Sequence, residues 1–535
     1  MTTEKSMRTT WRFLNILLLI IIVCFSYFLK ELQLIPYSKI ISVQLLSTLV
    51  CIVLEILQEN HKNKIVVIAV RSLTIFFSIL FLFASSYVYQ VKLNVDTVME
   101  SIEEFDDISV AIRKDVDVLM LSDIAKHKVG IQNPQMVDGI EVAKAMIESE
   151  IKKTIDSNEY DNIILLLNDA MNKNIDIVIY NDAYLSLVSE ENPELIANFK
   201  VIKTYKVKKI TKKDVLQNSI SDSLVGEDVL NVGKKQETSL GTNENNSTVQ
   251  QKETFPPEKI QYVNGKDTFA LYVSGIDVYG EIGKTSRSDV NIFAVVNPNT
   301  RQILLVTTPR DYFVKIPNIS GEQRDKLTHA GLYGVNTSID TLESIYGIDI
   351  DYYVRVNFTS MEQIVDALGG ITVFSEYDFI MGNGYEIKKG YNKLNGENAL
   401  RFCRQRYDLP GGDNQRGKNQ MEAIKAIAKK VTNPAMLLNA NKLLESLHGN
   451  IDMNIPYEMI QELIKNEMDS SSHWEIKTMA AEGHDSKSET FSAPGMELYV
   501  MEPDLFSIYD IKENIAKIES GEMLEGALKL NETEK

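Results

Sequence analysis

The chain has 535 residues, enough for two or three folded units, and 44% of them are hydrophobic, enough to build cores. A formal net charge of −18 argues against a basic surface for nucleic acid. Cys24, Cys51 and Cys403 are too scattered for a disulfide framework, and neither they nor the six histidines show zinc spacing.

Three apolar runs open the chain: Trp11 to Leu29, Ile40 to Leu57, and Ile65 to Tyr89. At ~1.5 Å of rise per residue each can cross a hydrocarbon layer about 30 Å thick, so 1–92 is expected to be a membrane anchor of three transmembrane helices. A cleaved signal peptide is the alternative for the first run, but Phe28, Leu29 and Lys30 stand where small residues would mark cleavage. Glu55 and Arg71 lie near the ends facing the connection Gln58 to Lys64, where they can pair or reach the interface. Lys5, Arg8, Arg12, Lys62 and Lys64 place the N-terminus and that connection on the cytoplasmic side. Three crossings then put the large C-terminal part outside the cell, in a multi-pass cell-membrane protein remote from nucleic acid.

Residues 95–211 read as a small α/β accessory domain, with strands at Ile108 to Ile112, Ile163 to Leu167 and Ile175 to Tyr180 and a helix at Val142 to Lys152. Glu103, Glu104, Asp106 and Asp107 read as a solvated helix face. No catalytic constellation appears, so a spacer or protein-docking role is expected. Residues 212–266 are polar and almost free of aromatics; they cannot bury enough apolar surface to offset chain entropy and read as a flexible linker.

In 267–535 strands are expected at Phe269 to Ser274, Val290 to Val296 and Gln302 to Thr308, the last two forming a hairpin through Asn297 to Thr300. Asn336 is a candidate cap for a helix that ends at Gly347, and Asp351 to Val356 reads as a strand. Thr359 and Glu362 suggest a capping box for Met361 to Leu368, before a strand at Ile371 to Phe374. The fold class is α/β, with a mixed central sheet flanked by helices.

Asp277 follows the first of these strands and Asp289 opens the second, so both carboxylates should reach one edge of the sheet, where ligands of open α/β sheets gather. Two hard oxygen ligands together with phosphate oxygens suit Mg²⁺; the plainer reading is a turn residue and an Arg287–Asp289 pair. Arg310, in VTTPRDYF, should stand at a sheet edge beyond Pro309. Further on, Leu394 to Lys430 gathers Arg401, Arg404, Arg406, Arg416 and Lys418 in an otherwise acidic protein. This is either a solvated basic face or an anion site. In an extended segment Arg404 and Arg406 would share a face. Arg416 and Gln420 would sit together near the start of a helix whose other face is Met421, Ile424, Ile427 and Val431, where the dipole favours an anion. Arg401 and Lys418 read as ordinary surface charges.

At these residues the chain resembles the LytR-CpsA-Psr (LCP) family of envelope phosphotransferases. The resemblance lies in SGID with Asp277, RSD with Arg287 and Asp289, TTPRD with Arg310, KLTHA with Lys326 and His329, LGGITV, and LNGENALRFCRQR followed by Asp413, Arg416 and Gln420. It covers about Thr268 to Ile515; the three-helix anchor and preceding domain look like the capsule and exopolysaccharide members. It implies transfer of a polysaccharide or anionic glycopolymer from undecaprenyl diphosphate to a peptidoglycan sugar hydroxyl. Mg²⁺ (or Mn²⁺) would be held by Asp277 and Asp289, the diphosphate by Arg287, Arg404, Arg406, Arg416 and Gln420, and the transferring phosphoryl group stabilised by Arg310 beside Asp289. It also implies an apolar pocket for the prenyl chain. The expected partners are the lipid-linked polysaccharide, peptidoglycan, membrane lipid and, through 95–211, polysaccharide export or polymerisation proteins. Asp311, Asp413 and His329 are base candidates by residue type, with none preferred. A membrane-bound transcriptional regulator is the alternative, disfavoured by the charge and the expected topology.

Overall fold

A computed structural model describes residues 2–60, 63–99, 102–116, 120–209, 268–406, 409–410, 412–431, 440–469 and 473–529. The segment read as a linker, 212–266, lies outside the described residues.

Helices α1 (Thr2–Leu32), α2 (Tyr37–Asn60) and α3 (Lys64–Val98) are long and apolar enough to cross a membrane. Glu55 and Arg71 do not pair with each other. Glu55 instead faces Arg12 and Asn15 of α1, Arg12 also donates to Glu59, and Arg71 lies 4.8 Å above the Trp11 ring.

The accessory unit is a five-stranded sheet in the order β3-β2-β4-β1-β5. Its strands are β1 (Phe105–Arg113), β2 (Val129–Gln132), β3 (Ser157–Tyr160), β4 (Ile177–Asn181) and β5 (Phe199–Lys208). Helices α4 (Ile140–Ile151) and α5 (Ile163–Met171) pack on it. The strand expected at Ile163 to Leu167 is thus the start of a helix. Asn162 caps it by accepting from the Ile164 amide at 2.6 Å, and Ile163, Leu166, Leu167 and Ala170 form its buried stripe at helical spacing. Nor do the acidic residues at 103–107 form a solvated helix face: Asp106 and Asp107 lie in β1, and both Asp106 and Glu104 are buried.

The third unit is built on a seven-stranded mixed sheet. Its first strands are β6 (Phe269–Ile276), β7 (Ser288–Asn297) and β8 (Gln302–Thr307), followed by helix α6 (Val335–Tyr346), strand β9 (Tyr352–Val356) and helix α7 (Phe358–Ala367). Then come α8 (Gly396–Arg404), α9 (Gly412–Val431), α10 (Ala440–Leu447), β10 (Ile451–Met453) and α11 (Tyr457–Asp469). Strand β11 (Glu475–Ala480), helix α12 (Leu505–Ser520) and strand β12 (Leu528–Lys529) complete the main layers. The order is β10-β9-β6-β7-β8-β11-β12, with β6–β9 and β8–β11 parallel and β6–β7 and β7–β8 antiparallel.

Alternation along β7 explains the layering. Phe293 and Val295 join a core with Leu342 of α6 and Ile511 and Ile515 of α12, while Ile292, Ala294 and Val296 join one with Met421 of α9 and Met459 of α11. The sheet is therefore buried on both faces.

Three local expectations change. Helix α6 starts after Gly334, so Asn336 lies inside its first turn. The capping box of α7 is Asn357 with Ser360, because Asn357 already accepts the Ser360 amide at 2.9 Å. Ile371–Ser375 is a strand, but it pairs with Gly390–Leu394 outside the main sheet.

The units touch through buried charge. Arg355 of β9 contacts Glu104, just before β1, at 2.5 Å and Asp452 of β10 at 2.8 Å. At the anchor, Ala440 and Leu444 of α10 and Tyr457 and Ile464 of α11 pack on Val88, Val91 and Val95 of α3, and the Tyr457 hydroxyl donates to Leu32 O at 2.7 Å.

Candidate active site

The site is assembled where β6 and β8 end and β7 begins, beside the starts of α7 and α9. Strands β6 and β7 pair as Gly275 with Val290 and Ile276 with Ser288, so Asp289 is the extra residue of a bulge. Bulges re-aim side chains at the ends of sheets, and this one turns Asp289 toward the end of β8. Asp277 follows β6 directly.

Arg310 leaves the end of β8 and its Nη1 donates to both oxygens of Asp289, at 2.9 and 3.0 Å. The Thr328 hydroxyl donates to Asp289 Oδ1 at 3.0 Å. Behind them Asp311 is almost fully buried, with Lys326 Nζ at 3.2 Å and Arg310 Nε at 3.5 Å. Arg287 is buried and its Nη2 is 3.9 Å from Asp277 Oδ2. The direct hydrogen bonds to Asp289 come from Arg310, since β7 and β8 are adjacent, while the Arg287 charge that spacing placed beside Asp289 also acts on it.

Arg404 is the last residue of α8, whose Asn395 cap accepts from Asn398, so the segment before Gln405 is helical rather than extended. Its guanidinium lies 4.1 Å from the centre of the Phe358 ring, at the start of α7. Arg406 lies half-buried two residues past α8. Arg416 and Gln420 stand one turn apart near the start of α9. This helix meets the sheet closely at Gly417, where a Cβ would come 2.9 Å from Thr307 Cγ2. That approach brings Arg416 beside Asp289, and a pocket between them is lined by Asn291, Arg310, Asn414 and Gln420. The Gln420 side-chain amide donates to Cys403 O at 3.2 Å, which ties α9 to α8. Arg401 pairs with Glu397 at 3.0 Å and Lys418 with Glu376 at 3.7 Å, both near the surface.

The two carboxylates experience different fields. Burial raises the pKa of Asp277, and the negative charge of Asp289 raises it further, against the opposing pull of Arg287, Arg404 and Arg310. Burial also acts to raise Asp289, but Arg310, Arg287 and Arg416, with the Thr328 hydrogen bond, outweigh it and hold that group below the usual aspartate value. One site thus contains an ionised, cation-clamped carboxylate and a more easily protonated neighbour.

Of the base candidates, Asp311 is enclosed as described. His329 is fully buried with Nδ1 2.6 Å from Asp325 Oδ1, and Asp325 also accepts from the Ser492 amide at 2.9 Å. The side chain of Asp413 lies outside the described residues. For Thr328, the sequence carries no signal beyond its place between Lys326 and His329. Among the described residues no group of three or more His, Cys, Asp or Glu is placed to hold a metal. Cys24, Cys51 and Cys403 are free thiols, and burial pushes Cys403 up to about 12.

The LytR_cpsA_psr family model matches residues 229–504. A polyisoprenyl-teichoic acid–peptidoglycan teichoic acid transferase TagU of Bacillus subtilis (strain 168) is 30% identical over 258 residues, which cover 48% of this chain and 80% of that protein. The protein of the same name from Enterococcus faecalis is 34% identical over 204 residues, covering 38% of this chain and 66% of that one. The crystal structure of Bacillus subtilis TagU aligns over 48% of this chain and 99% of its own, with 28% identity and a TM-score of 0.38.

Proposed function

The chain belongs to the LytR_cpsA_psr family, and from that premise we propose that it is a membrane-anchored transferase that moves a glycopolymer from a polyisoprenyl diphosphate carrier to a peptidoglycan sugar hydroxyl. The observation that carries this reading is the gathering of Asp277, Asp289, Arg287, Arg310, Arg404 and Arg416 at one end of the sheet. A diphosphate carries charge enough to engage several cations, and Arg forks match its oxygens.

Phosphoryl transfer depends mainly on positioning and neutralising charge. In the proposed reaction the acceptor oxygen attacks the phosphorus that bears the polymer. The bridging P–O bond then breaks, and polyisoprenyl phosphate leaves with the bond's electron pair. Arg310 stands beside Asp289 to neutralise charge on the transferring group, while Arg287, Arg404, Arg406 and Arg416 bind the remaining oxygens. Gln420 braces α8 against α9 and so orients Arg404 and Arg416. The acceptor's proton passes to solvent or to a group not among the enclosed Asp311 and His329.

Two nearby carboxylates, one of them raised partly by the charge of the other, fit a divalent cation, and Asp277 and Asp289 would hold Mg²⁺ or Mn²⁺. Such an ion supplies Lewis-acid neutralisation of diphosphate charge. The part after α3 is assigned to the outer face of the membrane, where peptidoglycan is found; the basic residues around α1 and the α2–α3 connection support that orientation.

Purified full-length protein in lipid nanodiscs should transfer a lipid-linked glycan to peptidoglycan fragments and release polyisoprenyl phosphate. Hydrolysis of the carrier with no glycopolymer reaching peptidoglycan, or no turnover with any divalent cation, would overturn the reading.

A further inference from the structure

The strand order of the accessory sheet reverses at β2, which pairs in parallel with β3 on one side and β4 on the other, and β1 runs antiparallel along the far side of β4. In open α/β sheets a ligand sits beyond the carboxyl ends of the strands at such a switch. Here a side chain of the third unit reaches that end. Asp182 follows β4, and Asp107 on β1 lies one step beyond the Ile108–Asn181 pair. Between them is the Lys284 ammonium, 2.7 Å from Asp107 Oδ2 and 3.6 Å from Asp182 Oδ2.

Lys284 belongs to the loop that joins β6 to β7, between Asp277 and Asp289. Backbone contacts hold the same loop. The Phe105 amide donates to Gly283 O at 3.0 Å, and the Thr285 amide and hydroxyl donate to Phe105 O at 3.0 and 3.2 Å. A Cβ at Gly283 would come 2.4 Å from Glu103 O, so the two segments meet through bare backbone.

The opposite side of this loop is held as well. A Cβ at Gly331 would come 2.6 Å from Ser288 N and 2.7 Å from Ser286 O. The turn after Gly331 is fixed by the accessory unit, since Lys209 Nζ donates to Leu332 O at 3.0 Å and Leu332 is buried in the accessory core. The segment with Arg287 therefore runs between two surfaces, and the accessory unit anchors both.

We propose that the accessory domain is a clamp on the diphosphate site, in which Asp107 and Asp182 hold Lys284 as a positioning residue for Arg287 and Asp289. The functional consequence rests on the transferase reading above. Displacing those groups by about 1 Å is enough to cost transfer heavily.

The test uses full-length protein in nanodiscs with Lys284→Met, which removes the charge at similar length, and Lys284→Arg, which keeps it. Assayed well below its melting temperature, K284M is expected to lose about tenfold or more in kcat/KM for a lipid-linked donor, and K284R to keep most of the activity. Wild-type kinetics in fully folded K284M would overturn the clamp. Hydrogen exchange of the Thr285 to Val290 amides needs no substrate and is expected to speed up about tenfold in K284M but not in K284R. Unchanged exchange would overturn the clamp whatever the transfer assay shows. Absence of transfer by the wild type, with exchange responding as expected, would count against the transferase reading and leave the clamp standing.

Discussion

Arg310 and Asp289 meet across adjacent strands, with one guanidinium nitrogen within 3.0 Å of both carboxylate oxygens. In the proposed reaction, removing Arg310 would withdraw a cation from the transferring phosphoryl group, and it leaves a mostly buried carboxylate with less compensation. Arg310→Ala should reduce transfer about 10³-fold or more. It should also cost stability, by no more than about 3–5 kcal/mol, since Arg287 and Arg416 still act on Asp289. Single-turnover transfer and denaturant unfolding measure the two losses separately.

Arg404 and Arg416 come from different helices and flank the carboxylates from two sides. A charge-assisted hydrogen bond is worth about 1.5–3 kcal/mol, so each Arg→Ala change should weaken binding of a polyisoprenyl diphosphate by roughly 10- to 100-fold. Calorimetric titration checks this. Arg401→Ala, at the exposed Glu397 pair, should leave affinity unchanged.

Acid should act through Asp277 before Asp289. The pKa of Asp277 is raised in the folded protein, so protonation there begins above the ordinary aspartate value of about 4 and should weaken Mg²⁺ binding first. At neutral pH that raised pKa means the ionised form is disfavoured by folding. Asp277→Asn should therefore raise the melting temperature near pH 7, with the gain shrinking as pH falls toward the unfolded value. Asp289 has the opposite sign. Its folded pKa is lowered, so its contribution is present above the unfolded value and is lost as pH falls through the folded one. Melting curves between pH 3 and pH 7, compared for wild type, Asp277→Asn and Asp289→Asn, distinguish these effects.

Glu104, Arg355 and Asp452 form a buried ionic triad between the accessory unit and the main sheet. Glu104→Gln should cost about 3–5 kcal/mol, because Arg355 keeps its burial but loses half of its compensation. Limited proteolysis should then cut sooner near the start of β1.

How much was legible in sequence depended on the range of the interaction. The three membrane-length helices, the β7–β8 hairpin and the Met421, Ile424 and Ile427 stripe of α9 follow from local periodicity and turn residues, whereas Val431, at the end of that stripe, is exposed because the helix stops there. Asp277 and Asp289 could be placed at strand ends, but the bulge that turns Asp289 toward Arg310 depends on pairing with β6. Five consecutive apolar residues at Ile163 to Leu167 are too few to display a period, and the Asn162 cap was the cue that decided for helix. The helical placement of Arg404 followed from Asn395, another cap. Glu104 with Arg355, and Asp107 with Lys284, are pairs distant in sequence that no local pattern announces.

Helix α3 has 35 residues, about 52 Å at 1.5 Å each, against a hydrocarbon layer of about 30 Å. About 20 Å of continuous helix therefore stands clear of the lipid interior, and α10 and α11 pack on that part. The unit that holds Asp289 and Arg310 is thus mounted on a continuous helical post, and its height is set by a count of helical turns. The proposed carrier, staying in the bilayer, would present its diphosphate at a constant depth, and a mount of fixed height suits a substrate of that kind. In that reading the growing wall, which varies in distance, must come to the protein.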